Sequence, residues 1–161
     1  MTMRIGTGYD IHRKAEGRKL VLGGVTFEGE RGLDGHSDAD VLLHAIGDAL
    51  LGAVALGDLG KHFPPGEPRW KDVSSLELLG LIRAMLDGKG AKVINIDATV
   101  AAERPKILPR RDAMCVNIAR ALRVGVDQVS VKATTNEGLG AVGRDEGIAA
   151  WAVALVEVDQ D

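Results

Sequence analysis

The chain has 161 residues, 45% of them hydrophobic and 27% charged, with a formal net charge of −3 at pH 7. That length fits one domain with a sizeable core, and the composition is globular rather than disordered or fibrous. A slightly acidic balance and five aromatic residues (Tyr9, Phe27, Phe63, Trp70 and Trp151) argue against a nucleic-acid partner, which needs basic patches and stacking platforms. The apolar stretch from Ile148 to Val156 is too short to span a bilayer, and the opening Met-Thr-Met-Arg-Ile-Gly carries no signal-peptide run. Cys115 is alone, so no internal disulfide is possible and an oxidising compartment has no support. The expectation is one cytoplasmic domain over residues 1–161.

No repeat or linker divides the chain. Arg4 to Tyr9 and Lys19 to Phe27 are expected as strands, separated by a polar turn. Ser37-Asp38-Ala39-Asp40 resembles a capping box and predicts a helix from Ser37 to about Leu56, apolar on most sides and therefore buried. A loop rich in Gly and Pro follows from Gly57 to Pro68. Ser74-Ser75-Leu76-Glu77 is a second capping box and opens a helix ending near Gly88 and Gly90.

Lys92 to Ala102 alternates strictly: Ile94, Ile96, Ala98 and Val100 share one face, and Asn95, Asp97 and Thr99 the other. A third helix is expected from about Pro109 to Leu122, with strands at Val129 to Thr135 and Ala149 to Val158. The order β-β-α-α-β-α-β implies an α+β fold, one mixed β-sheet with helices packed on one face. The half-polar outer face either meets solvent or packs against copies of itself around a symmetry axis.

Asp10 and His12 stand two apart at the end of a strand, so both side chains point to one face and can converge on one ion. His44 lies on the long helix with Asp40 and Asp48 at i−4 and i+4. Charged and polar groups on an apolar helix are costly to bury without partners, and zinc supplies one. Asp40 or Asp48 could then orient an imidazole from outside the ligand set. The spacing also fits a surface turn at Asp10 and a core histidine satisfied by Asp48.

Several segments suit phosphate. Gly35-His36-Ser37 precedes a helix N-terminus, a ready anion site, although Ser37 could simply cap. Glu103-Arg104-Pro105-Lys106 and Lys132-Ala133-Thr134-Thr135-Asn136-Glu137 leave strand ends with cationic, hydroxyl and carboxylate groups, and Arg144 suits bidentate phosphate contact. Gly138 to Gly143 reads G-x-G-x-x-G, yet a strand rather than a βαβ unit follows, so a dinucleotide fold is rejected.

Taken together, Gly6-Thr-Gly-Tyr-Asp-Ile-His12, Gly35-His-Ser-Asp-Ala-Asp-Val-Leu-Leu-His44 and Lys132-Ala-Thr-Thr-Asn-Glu-Gly-Leu-Gly140 resemble the signatures of the 2-C-methyl-D-erythritol 2,4-cyclodiphosphate synthase family. Asp48-Ala-Leu-Leu-Gly52, Gly57-Asp-Leu-Gly60, Arg104-Pro-Lys106 and Gly143-Arg-Asp-Glu-Gly-Ile148 agree, so the resemblance covers essentially the whole chain. It implies conversion of 4-diphosphocytidyl-2-C-methyl-D-erythritol 2-phosphate to the cyclic diphosphate and CMP in the non-mevalonate isoprenoid route. It also implies a homotrimer whose sheets face the axis and whose active sites lie between subunits.

By matching positions, the resemblance makes Asp10, His12 and His44 zinc ligands and gives Glu137 a second divalent ion, magnesium or manganese. His36 and Thr135 would stabilise the transition state. Ser37, Asp58, Leu59, Gly60, Phe63, Glu67, Lys106, Thr134 and Arg144 would bind substrate, with Ala102, Ile107, Leu108 and Ala133 shaping the cytidine pocket. Three places depart from the family pattern. Phe63-Pro-Pro-Gly-Glu67 replaces a stretch that often carries two aspartates, Asn136 stands where Thr is frequent, and Ala141 where some members have Phe. Two rivals are a zinc phosphoesterase using metal-bound water and a non-catalytic trimeric binding module with structural zinc.

Overall fold

The structure is a computed structural model and describes residues 1–159. The chain forms β1 (Thr2–Ala15), β2 (Leu20–Leu22), β3 (Val25–Phe27), β4 (Gly32–Leu33), α1 (Val41–Ala53), α2 (Leu59–His62), α3 (Ser75–Asp87), β5 (Ala91–Ala101), α4 (Arg111–Leu122), β6 (Val129–Thr134), α5 (Gly140–Gly143) and β7 (Gly147–Val158). Five strands make one mixed sheet in the order β4-β1-β7-β5-β6, with β5 and β6 parallel and β7 antiparallel to both its neighbours. The expected α+β architecture, helices against one face of a mixed sheet, is what the chain adopts.

Small residues set the layer spacing. On β7, Ile148, Ala150, Ala152, Ala154 and Val156 are buried in alternation with exposed Trp151 and Val153, as a sheet with one covered face requires. On β1 the matching inward positions include Gly6 and Gly8. A Cβ at Gly8 would lie 1.9 Å from the Ala45 carbonyl oxygen, and one at Gly6 1.9 Å from that of Ala49. Helix α1 therefore rests directly on strand backbone. Its Leu42, Ile46 and Leu50 are fully buried, each contributing about 1.5–3 kcal/mol through removal from water.

Several boundaries differ from the sequence expectation. Lys19 to Phe27 is not one strand but a hairpin, turned at Gly23 and Gly24 (φ +56° and +71°), the left-handed geometry that a two-residue turn needs. Helix α1 starts at Val41 rather than Ser37, because Ala39 is left-handed (φ 57°) and Asp40 is the cap, accepting from Leu43 N–H. It ends at Ala53, ahead of left-handed Ala55. Ser74 makes no side-chain cap on α3; the Ser75 N–H is taken instead by Asp38, from a distant loop. In β5 the alternation slips at a bulge between Val93 and Asn95, so Val93 and Ile96 are buried and Ile94 does not share their face. The Gly57–Pro68 loop contains α2, and β4 and α5 were too short to leave a periodic signal.

The opposite sheet face carries Met3, Ile5, Tyr9 and Ile11 of β1 and Trp151 and Val153 of β7, all exposed. The Tyr9 and Trp151 rings lie 5.2 Å apart. Beside them Lys132 of β6 pairs with Asp97 of β5 at 2.7 Å. A contiguous apolar patch on a sheet is the usual mark of an interface.

Candidate metal centre and active site

Asp10 and His12 project from the helix-covered face of β1, two residues beyond Gly8. Because α1 touches β1 at that glycine, His44, the neighbour of Ala45, reaches the same point. The Asp10 Oδ2 lies 2.8 Å from His12 Nε2 and 3.0 Å from His44 Nδ1, and the two nitrogens are 3.3 Å apart. One carboxylate oxygen and two imidazole nitrogens thus form a group within 4.8 Å of one another, the one such His/Cys/Asp/Glu cluster among the described residues.

Each imidazole is oriented through its second nitrogen. His12 Nδ1 donates to the Asp34 carbonyl at 2.6 Å, which leaves the Nε2 lone pair facing the cluster. His44 Nε2 lies 3.0 Å from Ser75 Oγ and 3.1 Å from Ser37 Oγ. The expectation that Asp40 or Asp48 would do this is corrected: Asp40 accepts from the Gly23, Gly24 and Leu43 N–H groups, and Asp48 accepts from Leu59 N–H. Both were placed by helical spacing, but backbone donors from neighbouring segments reach them first. Burial would raise the Asp10 pKa, yet the His12 and His44 imidazoles packed against the carboxylate outweigh it and hold the carboxyl at about 2. His12 moves the other way: burial would lower its pKa, but the Asp10 carboxylate raises it. An ionised carboxylate facing two oriented imidazoles is a donor set that suits zinc, and the same group opens onto a cavity on its remaining side.

That cavity, of about 340 Å³, is lined by the triad and by His36, Ser37, Asp58, Leu59, Gly60 and Phe63, all anticipated. Asp48, expected beside His44, also lines it, as do Pro65, Trp70, Val73 and Leu78, which carry no signal in the sequence. Phe63 and Trp70 meet edge to face at 5.0 Å and make one wall; their separation in sequence by a proline-rich loop hid the pairing. Arg18 braces the His36 turn by donating to the carbonyls of Gly35 and Ser37, at 2.9 and 2.7 Å. The helix N-terminus behind Ser37, expected as an anion site, is occupied by the Asp40 cap. Glu67 does not line the cavity and pairs with Arg69 at 3.0 Å.

The other site residues gather elsewhere. Ala102, Lys106, Ile107, Leu108, Ala133, Thr134 and Thr135 line a second cavity of about 260 Å³ where β5 and β6 end. Glu103 accepts from the N–H groups of Asn136 and Gly138 and so shapes the turn that carries Glu137, which is exposed and left-handed (φ 52°). Arg144 is exposed and held by Glu146 at 2.9 Å. Gly138 and Gly143 close on each other, since a Cβ at Gly143 would sit 2.2 Å from the Gly138 carbonyl carbon; the G-x-G-x-x-G run ends in the four-residue α5 and is followed by strand β7, not by the long helix of a dinucleotide fold. Lys14 belongs to no motif in the sequence. Its buried ammonium donates to the Arg104 carbonyl and pairs with Asp145, fastening both loops to β1. Within one chain the two cavities have no residue in common.

The YgbB family profile matches residues 3–157. The 2-C-methyl-D-erythritol 2,4-cyclodiphosphate synthase of Gloeobacter violaceus is 57% identical over 155 residues, covering 96% of this chain and 95% of that protein. The bifunctional enzyme IspD/IspF of an Anaeromyxobacter strain is 63% identical over 152 residues; the match covers 94% of this chain and 39% of the relative, so the chain spans about two fifths of that longer protein. Among solved structures, the Plasmodium falciparum IspF–CDP complex superposes with a TM-score of 0.85 at 34% identity, covering 98% of this chain and 97% of that one. The bifunctional IspDF of Campylobacter jejuni superposes at 0.94 with 39% identity, covering 99% and 43%. With the Asp10–His12–His44 cluster, the His36–Ser37 turn and a match over nearly the whole chain in agreement, this chain belongs to the YgbB family, that of the 2-C-methyl-D-erythritol 2,4-cyclodiphosphate synthases.

Proposed function

We propose that this chain converts 4-diphosphocytidyl-2-C-methyl-D-erythritol 2-phosphate to 2-C-methyl-D-erythritol 2,4-cyclodiphosphate and CMP, in the non-mevalonate isoprenoid route of the cytoplasm. The observation that carries this reading is the convergence of Asp10, His12 and His44 at the edge of a cavity that also holds His36 and Ser37. Those three residues would hold zinc and Glu137 a magnesium or manganese ion. Such ions, when bound, neutralise phosphate charge and polarise the phosphoryl centre.

The nucleophile is the substrate's own 2-phosphate, ionised near neutral pH, so the protein need not supply a strong base. Its task is to fold a multiply charged molecule back on itself with attacker and electrophile in line. His36 and Thr135 would donate to oxygens where charge develops. Ser37, Asp58, Leu59, Gly60 and Phe63 would hold the erythritol and phosphates at the first cavity. Ala102, Ile107, Leu108 and Ala133 would receive the cytosine through backbone groups at the second, with Lys106, Thr134 and Arg144 on the diphosphate.

This division of labour needs the two cavities to meet. A homotrimer built on the exposed Ile5, Tyr9, Ile11 and Trp151 face would bring the first cavity of one subunit beside the second of its neighbour. The test is incubation with the diphosphocytidyl substrate and magnesium, followed by phosphorus NMR. CMP appearing with a cyclic diphosphate supports the reading. CMP appearing with an acyclic bisphosphate would identify a hydrolase instead.

A further inference from the structure

We propose that Asp38 and Ser75 are positioning residues for the metal centre, a carboxylate-to-hydroxyl relay that makes His44 Nε2 a donor and thereby presents its Nδ1 lone pair to the cation. The inference rests on the reading of Asp10, His12 and His44 as ligands, and concerns two residues that do not line the cavity.

The direction of the relay follows from proton counting. Asp38 Oδ1 lies against Ser75 Oγ, and its Oδ2 accepts the Ser75 N–H at 2.9 Å. A carboxylate has no proton to give, so the Ser75 hydroxyl donates to Asp38 and shows only lone pairs to His44. Nε2 of His44, 3.0 Å from that oxygen, must then carry the proton. An imidazole protonated at Nε2 has its lone pair on Nδ1, the atom beside Asp10 Oδ2 and His12 Nε2. Without the relay, the nearby Asp10 carboxylate would favour the opposite tautomer, with a proton where the cation must bind.

A second serine sharpens the assignment. Ser37 Oγ is also near Nε2, at 3.1 Å, and accepts the Ala39 N–H at 3.2 Å. One N–H cannot serve two hydroxyls well. Because the Ser75 proton is committed to Asp38, Ser75 is the acceptor for Nε2, and the Ser37 proton is left for a ligand in the cavity that Ser37 lines. Ser75 and Asp38 thus belong to the cation, and Ser37 to the substrate.

The test measures zinc affinity by competition with a chromophoric chelator, on metal-stripped wild type, Ser75→Ala, Asp38→Ala and the double variant, alongside thermal unfolding of the same metal-free proteins. Ser75→Ala should weaken zinc binding by about 10–100-fold, as loss of an outer-shell partner does, with the metal-free unfolding temperature nearly unchanged. Asp38→Ala should weaken zinc comparably, and adding it to Ser75→Ala should cost little more affinity. It should nevertheless lower thermal stability in both backgrounds, since its other oxygen caps α3. Tight zinc binding by Ser75→Ala equal to wild type would overturn the relay while leaving the metal site intact, as would strictly additive affinity losses. A wild-type chain that holds no zinc would remove both readings together.

Discussion

At the scale of single residues, the centre combines a sharply anionic Asp10 with two imidazoles whose far nitrogens are already occupied. Removing one imidazole therefore removes an oriented donor and not merely a charge. His44→Ala should abolish stoichiometric zinc retention after gel filtration, read by metal analysis, together with cyclisation; full occupancy in that variant would refute the ligand assignment. Spacing makes Asp10, His12 and His44 candidates, because i and i+2 on a strand share a face and one helix position can approach it, but the same spacing fits a surface turn and a core histidine as well; the family resemblance is what joins the three. Spacing does not pair Asp38 with Ser75. Their contact joins the loop before α1 to the first turn of α3, and nothing in local spacing announces a bond across 37 positions. Ser75 reads in the sequence as part of a cap; in the fold its hydroxyl reaches His44 Nε2 and Asp38 instead.

At the scale of elements, the site depends on how closely α1 lies on β1. Gly8→Ala would drive a Cβ into the Ala45 carbonyl, backbone that cannot rotate away, so the helix must lift. The expected cost is about 3 kcal/mol or more, with a parallel loss of zinc affinity as His44 withdraws from Asp10 and His12. Chemical denaturation and chelator competition would check both; a variant as stable and as zinc-avid as wild type would contradict the close-packing account. The cap of α1 gives a pH test. Burial, reinforced by the neighbouring Asp38 charge, raises the Asp40 pKa from 3.8 to about 6, against the opposing hydrogen bonds of Gly24, Leu43 and Gly23. Between those two values the folded chain holds a proton that the unfolded chain has lost. Stability from this group should therefore fall as pH rises from about 4 to about 6, by roughly 3 kcal/mol at most, and then level off. Asp40→Asn has no such titration, so the stability advantage of wild type over this variant should shrink from pH 4 to pH 7 in metal-free protein. An advantage that widens instead would mean that the three N–H bonds dominate burial. Hydrophobic periodicity located α3 and α4 because each buries one stripe, and a near-continuous apolar run located α1, which is buried on most sides; the caps and the β5 bulge depend on distant donors and on a register slip, which leave no periodic trace.

At the scale of the whole molecule, one chain holds two cavities that share no lining residue. It also exposes an apolar sheet face carrying Ile5, Tyr9, Ile11 and Trp151. The alternation of Lys92 to Ala102 announces an outer, half-polar sheet face but not what covers it, since solvent and a second copy impose the same period. If each active site joins the metal cavity of one subunit to the Thr134–Thr135 cavity of the next, two inactive variants should repair each other. His44→Ala damages the first half-site and Thr135→Ala the second. Co-refolded in equal amounts as trimers, an interface that receives its metal half from a Thr135→Ala subunit and its other half from a His44→Ala subunit is intact. Random assortment makes about a quarter of interfaces of this kind, so the mixture should regain roughly a quarter of wild-type turnover while each variant alone stays nearly inactive. Sites contained within single chains would give no recovery at any mixing ratio, because every chain would still lack one half of its own machinery.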